Sequence, residues 1–430
     1  MKNYSREAAV AKAGLLRFCQ RISRGLGRVA QKLVADILYG VSASNSCHLT
    51  QIGRSLGELI GIKKTVDRLS RGLQNFTGHE ILHENYLQEA EKYIDETTVY
   101  AIDESDVIKP YGKAMEALYP VRDGSDGSLA PGYNTLEITA LIHGTKTPLP
   151  VYERVFSAAE KGFVSQTQEV LDGLKFLTQR FGHGGIRALD RGYDANEYIK
   201  YFKRNNEKFI IRVKKNRVVK HRGKPVNIEE LAGRYKGKYA FKCTLHGETV
   251  RLKVAHIPIN ISEFGDYPLY LVVVYGFGKT PMLLLTNCQG IESRLCTAIA
   301  KMYLLRWKIE EHFRFKKQQY EFEDFRVRSL AAIRTLHLLI TLLAGYMALL
   351  TQQKNTVTFQ LLSQAAQPVP RAKNRKPKQF FHYELAAGFA TLLRKTTANL
   401  KQFFPPLRCR PPSRQLSLFS QRQLVRLACA

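Results

Sequence analysis

The stretch Thr97-Thr-Val-Tyr-Ala-Ile-Asp103 decides our interpretation of the fold, because it is an apolar run that leads directly into a carboxylate. Its β-branched and aromatic residues predict a strand that ends at Asp103. A second run of this kind, Gly185-Ile-Arg-Ala-Leu-Asp190, predicts a strand that ends at Asp190. One such aspartate alone is typical of a capping or solvated group. The inference of a site therefore depends on the order of the elements between the two.

Those elements have an informative order. Period-two and helical spacings predict two strands, joined by a turn at Gly144, and two helices: Leu136 to His143, Leu149 to Phe156, Gln166 to Phe181 and Ala195 to Arg204. The order strand, strand, strand, helix, strand, helix is that of a ribonuclease-H-like α/β core with a mixed sheet. The first and fourth strands are neighbours in that core, so we expect Asp103 and Asp190 to share a metal ion.

A third carboxylate lies in a predicted helix, Tyr303-Leu-Leu-Arg306-Trp-Lys-Ile-Glu310-Glu-His-Phe-Arg-Phe-Lys-Lys317. At about 100° of turn per residue, a phenol, two cations and a carboxylate share one face: Tyr303, Arg306, Lys317 and Glu310. Glu311 lies about 100° away, so helix phase favours Glu310. This face suits a metal ion beside a nucleic-acid phosphate. The alternative is that the two cations form surface ion pairs with Glu310 and have no further function.

The chain is strongly basic. Its 430 residues contain 66 Lys or Arg against 37 Asp or Glu, which gives a formal charge of +29. Such a surplus indicates a polyanionic partner, with nucleic acid as the first candidate and a ribosomal or membrane surface as the alternative. The seven cysteines show no CxxC pair, which argues against a disulfide framework or a zinc site.

The apolar segments predict a soluble protein, and the unpatterned cysteines indicate a cytoplasmic one. The N-terminus has no apolar run of the signal-peptide type. The uninterrupted apolar run from Leu338 to Leu350 is too short to cross a bilayer, so we interpret it as part of a buried helix.

Residues 1–95 are predicted to be a helical DNA-binding domain. Within them a short helix from Leu49, glycines at 57 and 61 and a second helix from Ile62 resemble a helix-turn-helix. In the second helix we predict DNA contacts by three cations, which are Lys63, Lys64 and Arg68. An ordinary pair of helices with solvated charges is the alternative.

The remaining chain divides into four predicted regions. Two parts of the catalytic core, residues 96–207 and 287–350, flank a β-rich insertion at 208–286. Residues 351–430 form a basic, proline-rich tail that we expect to be partly disordered, with one helical stretch around Tyr383 to Lys395. This tail is a candidate for dimerisation or DNA contact.

Taken together, these residues resemble a known family. The pattern Tyr303-x2-Arg306-x3-Glu310-x6-Lys317 matches the Tyr-Arg-Glu-Lys signature of the DDE transposases that bacterial insertion sequences encode. The segment Asp103-Glu-Ser-Asp-Val-Ile-Lys109 is similar to the first-aspartate motif of that family, and Leu189-Asp190-Arg-Gly-Tyr-Asp194 is similar to the second. The resemblance spans residues 50 to 330, approximately.

The resemblance implies a function and a set of site residues. It implies cut-and-paste transposition that depends on two Mg²⁺ or Mn²⁺ ions, with Asp103, Asp190 and Glu310 as metal ligands. By the same resemblance, the other three signature residues contact phosphates at the transposon end. Because two ends must be brought together, we expect a homodimer in the complex with DNA. The alternatives are a nuclease of the same fold without strand transfer and a DNA-binding regulator without chemistry.

One feature departs from the family pattern. Members that cut through a DNA hairpin are expected to hold a flipped base with an aromatic residue, often Trp, in the insertion. No Trp lies between 208 and 286 here, so Tyr275 or Phe277 would have to serve. The sequence therefore leaves open whether the second strand is cut through a hairpin or by hydrolysis.

Overall fold

The computed structural model describes residues 4–142, 147–245, 248–366, 381–396, 398 and 400. The helices are α1 (Tyr4–Ile22), α2 (Arg28–Ser44), α3 (Leu49–Leu56), α4 (Ile62–Gln74), α5 (His79–Ala90), α6 (Gln166–Phe181), α7 (Asn196–Arg204), α8 (Ile228–Gly233), α9 (Glu292–Leu305), α10 (Lys308–Gln319), α11 (Leu330–Gln352), α12 (Val357–Ala365) and α13 (Phe381–Leu393). The strands are β1 (Val99–Ile108), β2 (Tyr119–Arg122), β3 (Leu129–Leu141), β4 (Leu149–Phe156), β5 (Ile186–Leu189), β6 (Lys208–Arg212), β7 (Val218–His221), β8 (Lys224–Asn227), β9 (Tyr239–Leu245), β10 (Glu248–Ile259), β11 (Leu269–Tyr275) and β12 (Met282–Thr286). The predicted turn at Gly144 and the tail beyond residue 400 lie outside the described residues.

Helices α3 and α4 have the predicted arrangement of helix, glycine turn and helix. Gly57 ends α3 at φ +58°, a left-handed conformation that glycine adopts without steric cost. The apolar stripes of the two helices are buried, with Ile52 and Leu56 on α3 and Leu69 and Leu73 on α4. The helix pair predicted from the sequence is therefore confirmed.

One large mixed sheet contains the predicted aspartates. Its strand order is β2-β3-β1-β5-β6-β12-β11-β10-β9, and β4 pairs with the far side of β3. Strand β5 is parallel to both β1 and β6, and β1 is antiparallel to β3. The parallel register joins Val99 with Ile186 and Ile102 with Leu189. The prediction that the strands leading to Asp103 and Asp190 are neighbours is confirmed.

Strand β1 does not end at Asp103 as predicted. Its pairing with β3 continues to Ile108, so Asp103 lies within the strand, opposite Glu137. On the other side β5 ends at Leu189, one residue before Asp190. The two aspartates therefore lie side by side where β5 ends and β1 continues paired with β3 alone.

The strands predicted between residues 208 and 286 are present, but most of them extend the main sheet. Strands β6, β12, β11, β10 and β9 continue outward from β5, and β7 with β8 forms a separate two-stranded sheet. Hydrophobic side chains on α9, including Cys296 and Ile299, pack against this extension. The strands of the predicted insertion therefore belong to the same hydrogen-bonded sheet as β1 and β5.

Helix α11 is the predicted buried helix. Among the described residues, it is the helix that has the length and composition to cross a membrane, yet 94% of its most apolar window is buried inside the protein. It packs against β4, α4, α2 and α13. Burial by protein on these sides agrees with the interpretation of a core helix.

The described part of the C-terminal region contains two helices, where one helical stretch was predicted. Helix α12 was not expected, and α13 packs onto α2 and α12 through buried side chains that include Leu385 and Phe389. The apolar side chains of these helices provide that packing, although the surrounding sequence is basic.

The predicted helix from Tyr303 to Lys317 is broken. Helix α9 ends at Leu305 and α10 begins at Lys308. The amide of Arg306 donates to the carbonyl of Tyr303 at 3.0 Å, and the amide of Ile309 donates to the carbonyl of Arg306 at 3.0 Å. These i→i+3 bonds form a tighter turn than an α-helix, and this turn aims the Arg306 side chain into the interior.

Candidate active site

The Arg306 guanidinium lies among the three predicted carboxylates. Its Nη1 donates to Oδ2 of Asp103 at 2.7 Å, and its Nη2 donates to Oε1 of Glu310 at 3.0 Å. The same Nη2 lies 4.0 Å from Oδ1 of Asp190. Side chains from β1, from the end of β5 and from the first turn of α10 are therefore brought together around one cation.

Tyr303 supports this arrangement from the last turn of α9. Its side chain is fully buried, and its hydroxyl donates to Oδ1 of Asp190 at 3.1 Å. Burial raises the pKa of Tyr303, and the negative charge of Asp190 adds to this effect, so the phenol remains a hydrogen-bond donor. Tyr303 and Arg306 thus both orient carboxylates.

The site is open to solvent on the carboxylate side only. Arg306 is 2% exposed, whereas the side chains of Asp103, Asp190 and Glu310 are 20%, 37% and 52% exposed. Three carboxylates face one guanidinium, so the site has an excess of negative charge. The pKa of Asp103 is raised to about 6, chiefly by burial and also by the charge of Asp190, while Arg306 opposes both effects.

The donor chemistry of this site fits a divalent cation. Carboxylate oxygens are the hard ligands that Mg²⁺ and Mn²⁺ prefer. The excess negative charge, and the raised pKa of Asp103 that accompanies it, would both be relieved by a bound cation. Within the part of the chain that the structure describes, no group of three or more His, Cys, Asp or Glu side chains is already spaced as a metal site. Arg306 instead lies between the carboxylates.

The structure places Glu310 at the site and Glu311 away from it. Glu311 is 9% exposed and accepts a hydrogen bond from Arg314 on the other side of α10. Trp307, in the turn before α10, packs on Phe277 with ring centroids 4.9 Å apart. Phe277 therefore lies beside the turn that carries Arg306. The other aromatic candidate, Tyr275, donates its hydroxyl to the carbonyl of Ala232.

The predicted DNA contacts fall into two groups. Lys63 and Lys64 are exposed at the start of α4, as a surface contact requires. Arg68 differs from the expectation, because its guanidinium donates to Asp36 at 2.7 Å and to Glu58 at 3.0 Å. Asp36 is 1% exposed, and a buried carboxylate needs such a cationic partner.

The three signature residues that were predicted to contact phosphates have carboxylate partners within the protein. Tyr303 and Arg306 are buried against carboxylates. Lys317 is 24% exposed and pairs with Glu323 at 2.7 Å, with Asp106 at 3.8 Å. The break at Arg306 is the reason, because it places Tyr303 and Lys317 on different helices. Of the three, Lys317 retains an accessible ammonium.

Sequence reasoning missed a second charged cluster under α10. Its five members are Glu137, Glu153, His312, Lys316 and His337, and we call it the Glu137 cluster. Four of them are at most 3% exposed, and the Glu153 side chain is 15% exposed. Two features of the sequence could have indicated the cluster. One is an acidic residue inside an apolar strand, at Leu136-Glu137-Ile138, and the other is a His and a Lys four residues apart on one helix.

Asp194, at the end of the second aspartate motif, precedes helix α7 but does not cap it. Its carboxylate instead accepts bonds from the amide of Lys214 and from Arg217 Nε, both at 2.7 Å. Helix α7 begins without a side-chain cap. Asp194 therefore connects the second aspartate motif to the segment that follows β6.

Residues 132–345 match the family described as the transposase DDE domain, a range that contains Asp190 and Glu310 and begins after Asp103. No curated protein matches the chain significantly. Among solved structures, a cryo-EM structure of the piggyBac transposase synaptic complex with hairpin DNA is similar, with 10% identity and a TM-score of 0.48 over 93% of this chain and 80% of that chain. Just under half of the chain, including two of the three carboxylates, is therefore similar to a transposase DDE domain.

Proposed function

We propose that this protein is the transposase of a bacterial insertion sequence of the Tyr-Arg-Glu-Lys class. In this proposal it cleaves DNA at the ends of the element and joins the freed 3′-hydroxyl groups to target DNA. The single observation that carries the proposal is the convergence of Asp103, Asp190 and Glu310 on one buried guanidinium. We also propose that β4, β3, β1, β5 and β6 form a ribonuclease-H-like core, because their order and directions fit it.

In this proposal Asp103, Asp190 and Glu310 would hold two Mg²⁺ or Mn²⁺ ions. Such ions activate the attacking oxygen and stabilise the leaving oxygen of a phosphodiester. The chain's own contribution is to hold the ligands. Tyr303 fixes Asp190 by a hydrogen bond, and Arg306 offsets part of the carboxylate repulsion before a cation binds.

The residues that we propose to contact DNA are those whose cationic groups are accessible to solvent. Lys63 and Lys64 on α4 and Lys317 on α10 present ammonium groups that suit phosphate oxygens. Tyr303 and Arg306 reach a phosphate only through a rearrangement that releases their carboxylates. A homodimer that pairs two element ends, in the bacterial cytoplasm at the nucleoid, completes the proposal.

The route of second-strand cleavage has one candidate residue. Of the two aromatic residues considered, Phe277 lies next to Trp307 and hence next to the turn that carries Arg306. If cleavage passes through a hairpin, Phe277 is the side chain that we propose to stack on a displaced base. Hairpin products that persist unchanged in Phe277→Ala would argue against this role.

A reconstituted reaction tests the function. The DNA that flanks the reading frame is sequenced to find paired inverted repeats, and labelled element-end DNA is then incubated with purified protein and Mg²⁺. We expect nicks with 3′-hydroxyl ends and joined products, both lost in Asp190→Ala. Cleavage without joining would favour a nuclease. Binding without either product, unchanged in Asp190→Ala, would favour a regulator.

A further inference from the structure

The Glu137 cluster lies directly beside the candidate active site. Glu137 on β3 pairs in register with Asp103 on β1, so the two carboxylates share one face of the sheet. Helix α10 crosses this face. It places Glu310 near Asp103 and, further along, places His312 and Lys316 over Glu137.

The contacts within the cluster are dense and directional. His312 Nε2 lies 2.7 Å from Oε2 of Glu137, and the Lys316 ammonium donates to its Oε1. Lys316 also lies 3.1 Å from His337 Nε2 and 3.2 Å from Thr341 Oγ1, which ties α10 to α11. His337 in turn contacts Glu153 on β4. Two helices and two strands are therefore joined by one polar network.

Glu137 is ionised in this network. Burial alone would raise its pKa, but Lys316 and His312 hold the pKa well below the usual value. A buried carboxylate of this kind is stable only while its cationic partners stay in place. The bonds from α10 to β3 are therefore strongly favoured in one geometry.

Apolar contacts hold α10 against the sheet and, through the buried Phe315, against α13. The apolar α10 residues Ile309 and Phe313 pack on a surface that includes the small side chains of Ala101 and Ala188. Burial of apolar area is non-directional, whereas hydrogen bonds and ion pairs favour one rotation and one axial position of the helix. The tight turn at Arg306 also separates α10 from α9, and Glu310 is half exposed.

We propose that Glu137 is a positioning residue which, through His312 and Lys316, sets the rotation and axial position of α10 and thereby holds Glu310 next to Asp103. The inference rests on the proposed function in one respect, because it takes Glu310 to be a metal ligand. A slip of one residue would rotate the helix by about 100° and move it about 1.5 Å, which would take Glu310 away from Asp103.

The decisive variant removes both charges together. In Glu137→Gln/Lys316→Met the amide oxygen still accepts a hydrogen bond from His312, but the strong ionic contact is lost. Replacing a buried ion pair as a unit is often neutral for stability, so we expect Tm to stay close to that of the wild type. We expect the Kd for Mn²⁺, measured by calorimetry without DNA, to rise roughly 10- to 100-fold, as for other groups that orient metal ligands.

A second pair of variants keeps the inference testable if the double variant does not fold. His312→Gln retains a donor toward Glu137, whereas His312→Leu has a similar volume and no donor. We expect His312→Gln to keep the Mn²⁺ affinity of the wild type and His312→Leu to lose affinity. Arg334→Met is the matched control. Arg334 lies on α11, the helix that also carries His337, and the variant removes its part-buried ion pair with Glu160 but leaves the Glu137 cluster unchanged.

The outcomes separate this inference from the proposed function. The positioning role would be overturned if the folded double variant and His312→Leu both bound Mn²⁺ with the affinity of the wild type. An equal loss of affinity in Arg334→Met would also overturn it, because the effect would then be general destabilisation. If the wild type binds Mn²⁺ but does not nick element-end DNA, the proposed function fails, and the calorimetric comparison still decides the positioning role.

Discussion

Helix α10 borders two charged clusters that differ in their balance of charge and in their exposure to solvent. The site around Arg306 sets three carboxylates against one guanidinium and is open to solvent. The Glu137 cluster sets two carboxylates against a lysine and two histidines and is closed. The open site can gain from a cation, whereas the closed one already has its cations. The comparison teaches that carboxylates under one helix can have separate tasks, one for binding and one for support.

The largest expected effect comes from Asp190→Asn in the open site. It removes one of three metal ligands, so we expect nicking to fall by a factor on the order of 10³ or more. Tm in the absence of metal should hold or rise, because repulsion with Asp103 is relieved. Nicking on labelled end DNA and thermal unfolding measure both. The exposed Asp172→Asn on α6 is the control, and a large loss of Tm in Asp190→Asn would break the comparison.

The closed cluster should respond in the opposite way. Glu137→Gln leaves the buried Lys316 without its carboxylate, so we expect a loss of about 3–5 kcal/mol in the free energy of unfolding. Denaturant titration measures this loss. Glu160→Gln, which alters a more exposed ion pair, is the control and should lose less. Similar losses of unfolding free energy in both variants would mean that burial of the Glu137 cluster does not increase its contribution to stability.

The contributions of the two clusters to stability should depend on pH in opposite directions. The pKa of Asp103 is raised to about 6 by burial and by Asp190, so in metal-free protein its contribution to stability is complete below its unfolded pKa and is lost as pH rises through 6. The pKa of Glu137 is lowered by Lys316 and His312 against the effect of burial. Its contribution is present above its unfolded pKa and is lost as the pH falls toward its folded value.

Two measurements test these signs. In EDTA between pH 4 and 8, the Tm of Asp103→Asn should exceed that of the wild type by the largest margin above about pH 6. Mn²⁺ affinity should weaken roughly tenfold per pH unit below about 6, as a ligand that must lose a proton requires. An affinity that is flat from pH 5 to 8 would contradict the assignment of Asp103 as a ligand.

The smallest expected effect concerns the accessible cation at the far end of α10. Lys317→Ala should weaken binding to element-end DNA several-fold and reduce the slope of log K against log salt by about one unit. Equilibrium binding at several salt concentrations measures the slope, with the exposed Lys175→Ala as the control. An unchanged slope would assign Lys317 to its ion pair with Glu323 alone.

The sequence predicted those parts of the site that depend on local pattern. Apolar runs that end in Asp103 and Asp190 placed both strands, because buried strands leave a simple signal. The choice of Glu310 over Glu311 followed from helix phase and agrees with the observed contact to Arg306. The spacing of apolar residues also predicted α6 with the bounds that the structure shows.

The rest depended on contacts between distant segments. The turn at Arg306 forms where a guanidinium is buried among carboxylates from β1 and β5, which no local pattern encodes. Arg68 was interpreted as a DNA contact because its partner Asp36, which lies 32 residues earlier, was unknown. For the same reason Glu137 could not be paired with Lys316 before the strands and helices were assembled.

The burial of α11 has a consequence for how DNA is handled. Its side chains belong to a hydrophobic core that also includes residues from α1 to α5 and from the catalytic sheet. The exposed lysines of α4 and the carboxylates of the sheet are consequently attached to one continuous core. In the proposed function, the length of DNA between the phosphates that Lys63 and Lys64 contact and the bond that is cut would then be constant.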